Sequence, residues 1–102
     1  MKAWLCENPI GVEALKWVDL PTPQPGPEEV LIEIKAASLN FPDILIVQNK
    51  YQMKPSLPFV PGSEYAGVIQ AIGSEVKHLA VGQAVACLSG TGGFGTHTLA
   101  PA

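Results

Sequence analysis

The sequence predicts a small, mainly β domain that folds as a partly open barrel with one short helix. Three observations predict it: short apolar and β-branched runs recur along the chain, one of them alternates over most of its length, and most of the ten glycines and ten prolines lie between these runs. A chain of 102 residues is long enough to enclose one hydrophobic core. We therefore treat residues 1–102 as one domain.

The clearest predicted strand is Glu29–Ser38, where over residues 29–36 apolar residues alternate with a second set that is charged except for Leu31, which is the period of a half-buried strand. Turn residues before and after apolar runs predict five further strands, at residues 2–7, 14–20, 65–72, 84–88 and 97–100. The first two are expected to form a hairpin. Residues 21–27 contain four prolines, which cannot donate backbone hydrogen bonds, so this segment is predicted to be an extended connector.

One helix is predicted from Asn40 to about Gln48. Asparagine is a favoured N-cap residue, Pro42 is tolerated in a first helical turn, and the negative charge of Asp43 suits the positive helix end. The apolar residues that follow give this short helix a side to bury.

The composition excludes several classes of protein. The net charge is −3 and all six basic residues are lysines, so no arginine is present for bidentate contacts to phosphate or guanine, and no nucleic-acid partner is expected. The chain has no secretion signal and no apolar run of about 20 residues, which predicts a cytoplasmic protein without a membrane anchor. Cys6 and Cys87 are too few for a disulfide framework and are expected to be small buried side chains.

The segment Gly90–Gly95 matches the pattern G-x-G-x-x-G of dinucleotide-binding loops. That pattern binds pyrophosphate only when its last glycine opens a helix, with an acidic residue about 20 positions further on. Residues 96–102 instead contain β-branched Thr96 and Thr98 and are interrupted by Pro101. We therefore interpret the segment as a turn.

Three blocks carry a family resemblance: residues 37–43 (ASLNFPD), residues 57–69 (LPFVPGSEYAGVI), and the end of the chain, GFG at 93–95 with LAPA at 99–102. Their order and spacing resemble the N-terminal GroES-like domain of medium-chain dehydrogenases/reductases, in the quinone oxidoreductase branch that works without zinc. The resemblance implies a substrate-side domain of a reductase, with NADPH held by a following Rossmann domain.

The same resemblance implies a class of substrate and indicates whether this chain is active alone. The expected substrate is a quinone or an α,β-unsaturated carbonyl compound, reduced by hydride transfer to an activated double bond. Because the Rossmann domain is absent from residues 1–102, we expect an excised domain or a naturally short protein that is inactive alone. Exposed apolar surface is then expected, with a homodimer as one consequence. The alternative is a GroES-like binding or assembly module without catalysis.

The resemblance also implies that no metal is bound. Zinc-containing relatives have a cysteine at the position of Asn40 and a histidine at that of Ser63, whereas an amide and a hydroxyl are poor zinc ligands. Without a Lewis acid, hydride addition to an electron-poor double bond is favoured over alcohol oxidation.

By resemblance, Asn40 is the candidate catalytic residue and faces both the nicotinamide and the substrate; capping the helix is an alternative role compatible with the first. Leu45 and Tyr51 are implied to bind substrate with Asn40, although Tyr51 could instead pack on nearby prolines. Asp43 is expected to be a helix-terminus charge rather than an acid catalyst, and Glu64 to accept hydrogen bonds from backbone amides.

Overall fold

The mainly β class is confirmed by the computed structural model, which describes residues 1–52 and 54–102. Within these residues the elements are β1 (Lys2–Leu5), a 3-10 helix (Val12–Ala14), β2 (Lys16–Asp19), β3 (Glu29–Ser38), α1 (Phe41–Val47), β4 (Glu64–Ile72), β5 (Ala84–Leu88) and β6 (His97–Pro101). No helix in this described part of the chain has the length and apolar character needed to span a membrane.

The strands form two antiparallel sheets. β1 and β2 form the predicted hairpin, with Trp4 opposite Trp17, and the larger sheet has the order β5-β4-β3-β6. The Trp4 N–H donates to the Phe94 carbonyl at 2.9 Å, and Ala3 forms an isolated bridge with Gly95. These contacts hold the hairpin against the edge of the larger sheet without closing the sheets, so the barrel is partly open.

Two clusters of buried side chains form the core. The larger lies on the four-stranded sheet and contains Val30, Ile32, Tyr65, Ile69, Val76 and Ala100. The smaller packs α1 against the residue that follows β1 and against the loop before β4, through Cys6, Ile46, Val47 and Phe59. Both sets of contacts link residues far apart in the chain, and the smaller fixes α1 relative to the residue that follows β1.

The two cysteines differ in exposure. Cys6 is fully buried, as expected, and this burial raises the pKa of its thiol. The expectation of a buried side chain is wrong for Cys87, which is only partly buried and packs against the margin of the larger cluster. The physical reason is its position on β5, an edge strand of the sheet.

The hairpin strands are shorter than predicted. Cys6 leaves β1 and pairs with Phe59 instead, through backbone hydrogen bonds of 2.8 and 3.1 Å, and residues 12–14 form the 3-10 helix before β2. Periodicity in a sequence reflects neighbouring residues only, so it does not reveal a bridge between residues as distant as Cys6 and Phe59. The helix and the other four strands lie within one residue of their predicted ends.

The glycine-rich segment is a turn, as predicted, and it leads directly into β6. Gly90 and Gly92 have φ values of 88° and 103°, a region that residues with a Cβ rarely adopt. The N–H groups of Gly92, Gly93 and Phe94 donate to the carbonyls of Val60, Gly62 and Pro61 at 2.7, 2.9 and 2.9 Å. The turn is therefore tied to the loop that precedes β4.

Candidate functional site

The hairpin, the end of β3, α1 and the glycine turn surround a cavity of about 730 Å³. Most of its walls are apolar. The larger apolar side chains that line it are those of Trp4, Val12, Leu15, Trp17, Ile34, Leu39, Ile44, Val47 and Phe94. The rings of Trp4 and Trp17 have centroids 5.4 Å apart and are tilted by 54°, and each residue remains nearly half exposed. The cavity therefore presents aromatic surface to a ligand.

Asn40 is one of the few polar residues in the cavity lining. It occupies the N-cap position of α1, as predicted, with the extended φ of −124° and ψ of 154° that an N-cap adopts. Its backbone N–H donates to Asp43 Oδ2 at 3.0 Å. Its side-chain Nδ2 donates to Ser38 Oγ at 2.9 Å.

Asp43 is buried, with 4% of its surface exposed. Besides the Asn40 N–H, its carboxylate accepts the backbone N–H of Ser63 through Oδ1 at 3.1 Å. The expected role as a helix-terminus charge is therefore extended, because the same carboxylate ties the start of α1 to the residue that precedes β4. This one side chain brings positions 40 and 63 together.

Glu64 does not have the expected partner. In the described part of the chain, its carboxylate accepts a hydrogen bond from the Ser38 hydroxyl, with an Oγ–Oε1 distance of 2.7 Å, rather than from backbone amides. Ser38 and Glu64 stand opposite each other where β3 ends and β4 begins. Asn40, Ser38 and Glu64 therefore form one row of hydrogen bonds beside the cavity.

Leu45 and Tyr51 lie apart from Asn40's cavity. Among residues 1–52 and 54–102, neither is part of its lining. Leu45 is half-buried on α1 and Tyr51 is exposed in the bend after it. Since successive helical residues are rotated by about 100°, Ile44 and Val47 face the cavity while Leu45 points elsewhere. The substrate-binding roles of Leu45 and Tyr51 remain predictions.

Sequence patterns did not identify Trp4, Trp17 or Ser38 as site residues. The two tryptophans stand in the middle of the two hairpin strands, so an antiparallel pairing with Trp4 opposite Trp17 would have indicated an aromatic pair. No local signal marks Ser38, because its importance depends on the pairing of β3 with β4.

Within the described ranges 1–52 and 54–102, no group of three or more histidine, cysteine, aspartate or glutamate side chains comes together as a metal site would require.

Near the cavity, Tyr65 forms a contact of 3.2 Å with the Ser89 hydroxyl, and burial raises the pKa of Tyr65 to about 12. Its phenol is therefore neutral near pH 7 and is a weak proton donor.

The open antiparallel barrel with its one helix matches the GroES-like class of domain. The family described as the alcohol dehydrogenase GroES-like domain matches residues 26–102. The chain belongs to this family, within the medium-chain dehydrogenases/reductases.

Three relatives illustrate the similarity. A zinc-type alcohol dehydrogenase-like protein of Schizosaccharomyces pombe is 41% identical over 76% of this chain and 22% of its own length. The quinone oxidoreductase of Mus musculus is 37% identical over 88% of this chain and 28% of its own length. A mycobacterial protein solved in complex with NADPH has a TM-score of 0.89 and 36% identity, covering 100% of this chain and 32% of that one. The chain thus spans between 22% and 28% of the length of these two curated relatives.

Proposed function

We propose that this chain forms the substrate side of an NADPH-dependent reductase that transfers hydride to quinones or α,β-unsaturated carbonyl compounds without zinc. The observation that carries the proposal is the position of Asn40, a half-buried amide in the wall of a largely apolar cavity. The name of the mouse relative, quinone oxidoreductase, and the NADPH complex of the mycobacterial relative support it.

The cavity suits a flat, unsaturated carbonyl compound. Its volume of about 730 Å³ lies in the range of small-molecule sites, which are mostly apolar with a few polar groups that fix orientation. The faces of Trp4 and Trp17 offer stacking surface for a ring. An N–H of the Asn40 side chain is suited to a carbonyl oxygen that gains negative charge as the double bond is reduced.

NADPH, when bound, supplies the hydride. Of this chain's residues, we assign Asn40 alone to the nicotinamide side of the site. The glycine turn is a poor site for pyrophosphate, since the N–H groups of Gly92, Gly93 and Phe94 already donate to backbone carbonyls and a strand follows instead of a helix. We therefore propose that a Rossmann domain outside residues 1–102 binds the dinucleotide, and that these residues alone do not oxidise NADPH.

The donor atoms around position 40 do not fit zinc. The Asn40 amide nitrogen is a hydrogen-bond donor to Ser38, Ser63 offers only a hydroxyl, and both Asp43 oxygens accept backbone N–H groups. Zinc prefers thiolate, imidazole and carboxylate. In the proposed reaction, polarisation of the substrate carbonyl is therefore assigned to hydrogen bonding rather than to a Lewis acid.

Tryptophan fluorescence provides a direct test, because both tryptophans of the chain line the cavity. Duroquinone is a suitable probe, since its fully substituted ring has no open position for thiol addition. We expect saturable quenching by duroquinone. Replacing Asn40 by leucine removes a hydrogen bond to the quinone carbonyl and is expected to weaken the affinity roughly fivefold to tenfold.

The matched control is Asn8→Leu, the same change at an exposed position in the turn after β1. Its quenching curve should overlay that of the unmodified chain. Quenching that rises linearly without saturation, or equal affinities for the unmodified chain and Asn40→Leu, would contradict the proposed site.

A further inference from the structure

Three side chains, those of Asn40, Ser38 and Glu64, form a row of hydrogen bonds that ends at a negative charge. Asn40 Nδ2 donates to Ser38 Oγ at 2.9 Å, and Ser38 Oγ donates to Glu64 Oε1 at 2.7 Å. Ser38 and Glu64 are cross-strand neighbours of β3 and β4. The paired backbones therefore hold Ser38 and Glu64 at a fixed distance from each other.

The carboxylate sets the direction of both hydrogen bonds. An ionised carboxylate only accepts, so the single proton of the Ser38 hydroxyl is committed to Glu64. The Asn40 atom that faces Ser38 must then be a donor, which is Nδ2 and not Oδ1. The orientation of an amide is otherwise ambiguous, because its oxygen and nitrogen have nearly the same shape. Here the charge of Glu64 selects one of the two orientations.

We propose that Glu64, acting through Ser38, is a positioning residue that fixes the orientation of the Asn40 side chain in the cavity. Asp43 holds the backbone of Asn40 through its N–H, and the row from Glu64 holds its side chain. Among the described residues, Ser38 is the one side-chain partner of Nδ2. The second Nδ2 proton is thereby left for a ligand. The consequence for carbonyl binding rests on the function proposed above, whereas the orientation of the amide does not.

The test replaces Glu64 by glutamine in the full chain labelled with ¹⁵N. Glutamine keeps the shape of the side chain but can accept from Ser38 or donate to it, so both orientations of the Asn40 amide become available. The Asn40 side-chain signals are identified by their loss in Asn40→Leu. In the unmodified chain we expect two distinct Nδ2 proton signals. In Glu64→Gln we expect hydrogen exchange at Nδ2 to be roughly tenfold faster.

Two Ser38 variants separate positioning from a general effect on structure. Ser38→Ala removes the middle of the row and should accelerate Nδ2 exchange as Glu64→Gln does. Ser38→Thr keeps a hydroxyl, so Nδ2 exchange should be as slow as in the unmodified chain. The charge-matched control is Glu75→Gln, at an exposed position outside the cavity lining, which should leave the Asn40 signals unchanged. Unaltered Nδ2 exchange in both Glu64→Gln and Ser38→Ala would overturn the proposal.

Duroquinone titrations of the same variants distinguish this proposal from the proposed function. A loss of affinity in Glu64→Gln and Ser38→Ala, with recovery in Ser38→Thr, supports both. If duroquinone fails to bind the unmodified chain while Nδ2 exchange responds to Glu64→Gln, the proposed function is wrong and the positioning role stands. If duroquinone binding requires Asn40 but Nδ2 exchange is unchanged in Glu64→Gln and Ser38→Ala, the positioning role is wrong.

Discussion

Replacing Asp43 by asparagine is expected to lower the free energy of unfolding by about 3 kcal/mol. The buried carboxylate accepts two backbone N–H groups, from Asn40 at 3.0 Å and from Ser63 at 3.1 Å. Asparagine has one oxygen and one NH₂ group, so one of the two N–H groups loses its acceptor and faces another donor. Because Asp43 is only 4% exposed, water cannot easily replace the lost partner.

Urea unfolding followed by circular dichroism measures this effect. The matched control is Asp19→Asn, because the Asp19 carboxylate is exposed and its ion pair with Lys2 lies at the surface. Surface ion pairs contribute little, so this variant should unfold near the midpoint of the unmodified chain. Equal midpoints for Asp43→Asn and Asp19→Asn would show that the buried carboxylate does not hold the site together.

A larger loss, about 4 kcal/mol, is expected when Ile69 is replaced by alanine. Ile69 is 1% exposed, stands opposite Ile32 in the pairing of β3 with β4, and belongs to the larger core cluster. Alanine lacks most of the isoleucine side chain and leaves a cavity that the paired strands cannot close. Small domains are stable by only about 5–15 kcal/mol, so this single change removes a large share of the stability.

The same urea experiment measures the loss of stability in Ile69→Ala, with Ile10→Ala as the matched control. Ile10 is 72% exposed, so its truncation removes little packing and should change the midpoint only slightly. A midpoint for Ile69→Ala close to that of Ile10→Ala would place the core elsewhere in the fold.

The sequence predicted most of the secondary structure, because local patterns determine it. β3 and β5 have the predicted bounds, Glu29–Ser38 and Ala84–Leu88, since alternation and flanking glycines mark them clearly. The N-cap asparagine, the proline and Asp43 placed the start of α1 within one residue. The glycine turn was distinguished from a nucleotide loop by the β-branched residues and the proline that come after it in the chain.

The site was predicted less completely, because it depends on contacts between distant residues. The bridge of Cys6 with Phe59 shortened the hairpin, and the pairing of Ser38 with Glu64 brings together the side chains that contact Asn40. Neither contact leaves a periodic pattern in the sequence. Asn40 was identified through family resemblance, whereas Trp4 and Trp17 became visible only when the hairpin had been placed against β3 and α1.

Several large apolar side chains are exposed, and their coverage by a Rossmann domain or by a second copy of the chain remains a prediction. Trp4, Val12, Trp17, Leu39 and Phe41 are between 44% and 84% exposed, and the first four line the cavity. Surface of this kind is typical of sites that bind a ligand or another protein surface. In the proposed function, the cavity binds an apolar carbonyl compound that is oriented by an amide and not by a metal.

Calorimetric titration of the chain with Zn²⁺ tests most directly whether the proposed site works without a metal. We predict no stoichiometric binding that depends on positions 40 and 63, and a gain of zinc affinity in the double variant Asn40→Cys with Ser63→His, which introduces a thiolate and an imidazole. Tight binding of one zinc ion by the unmodified chain, lost in Asn40→Leu, would contradict it.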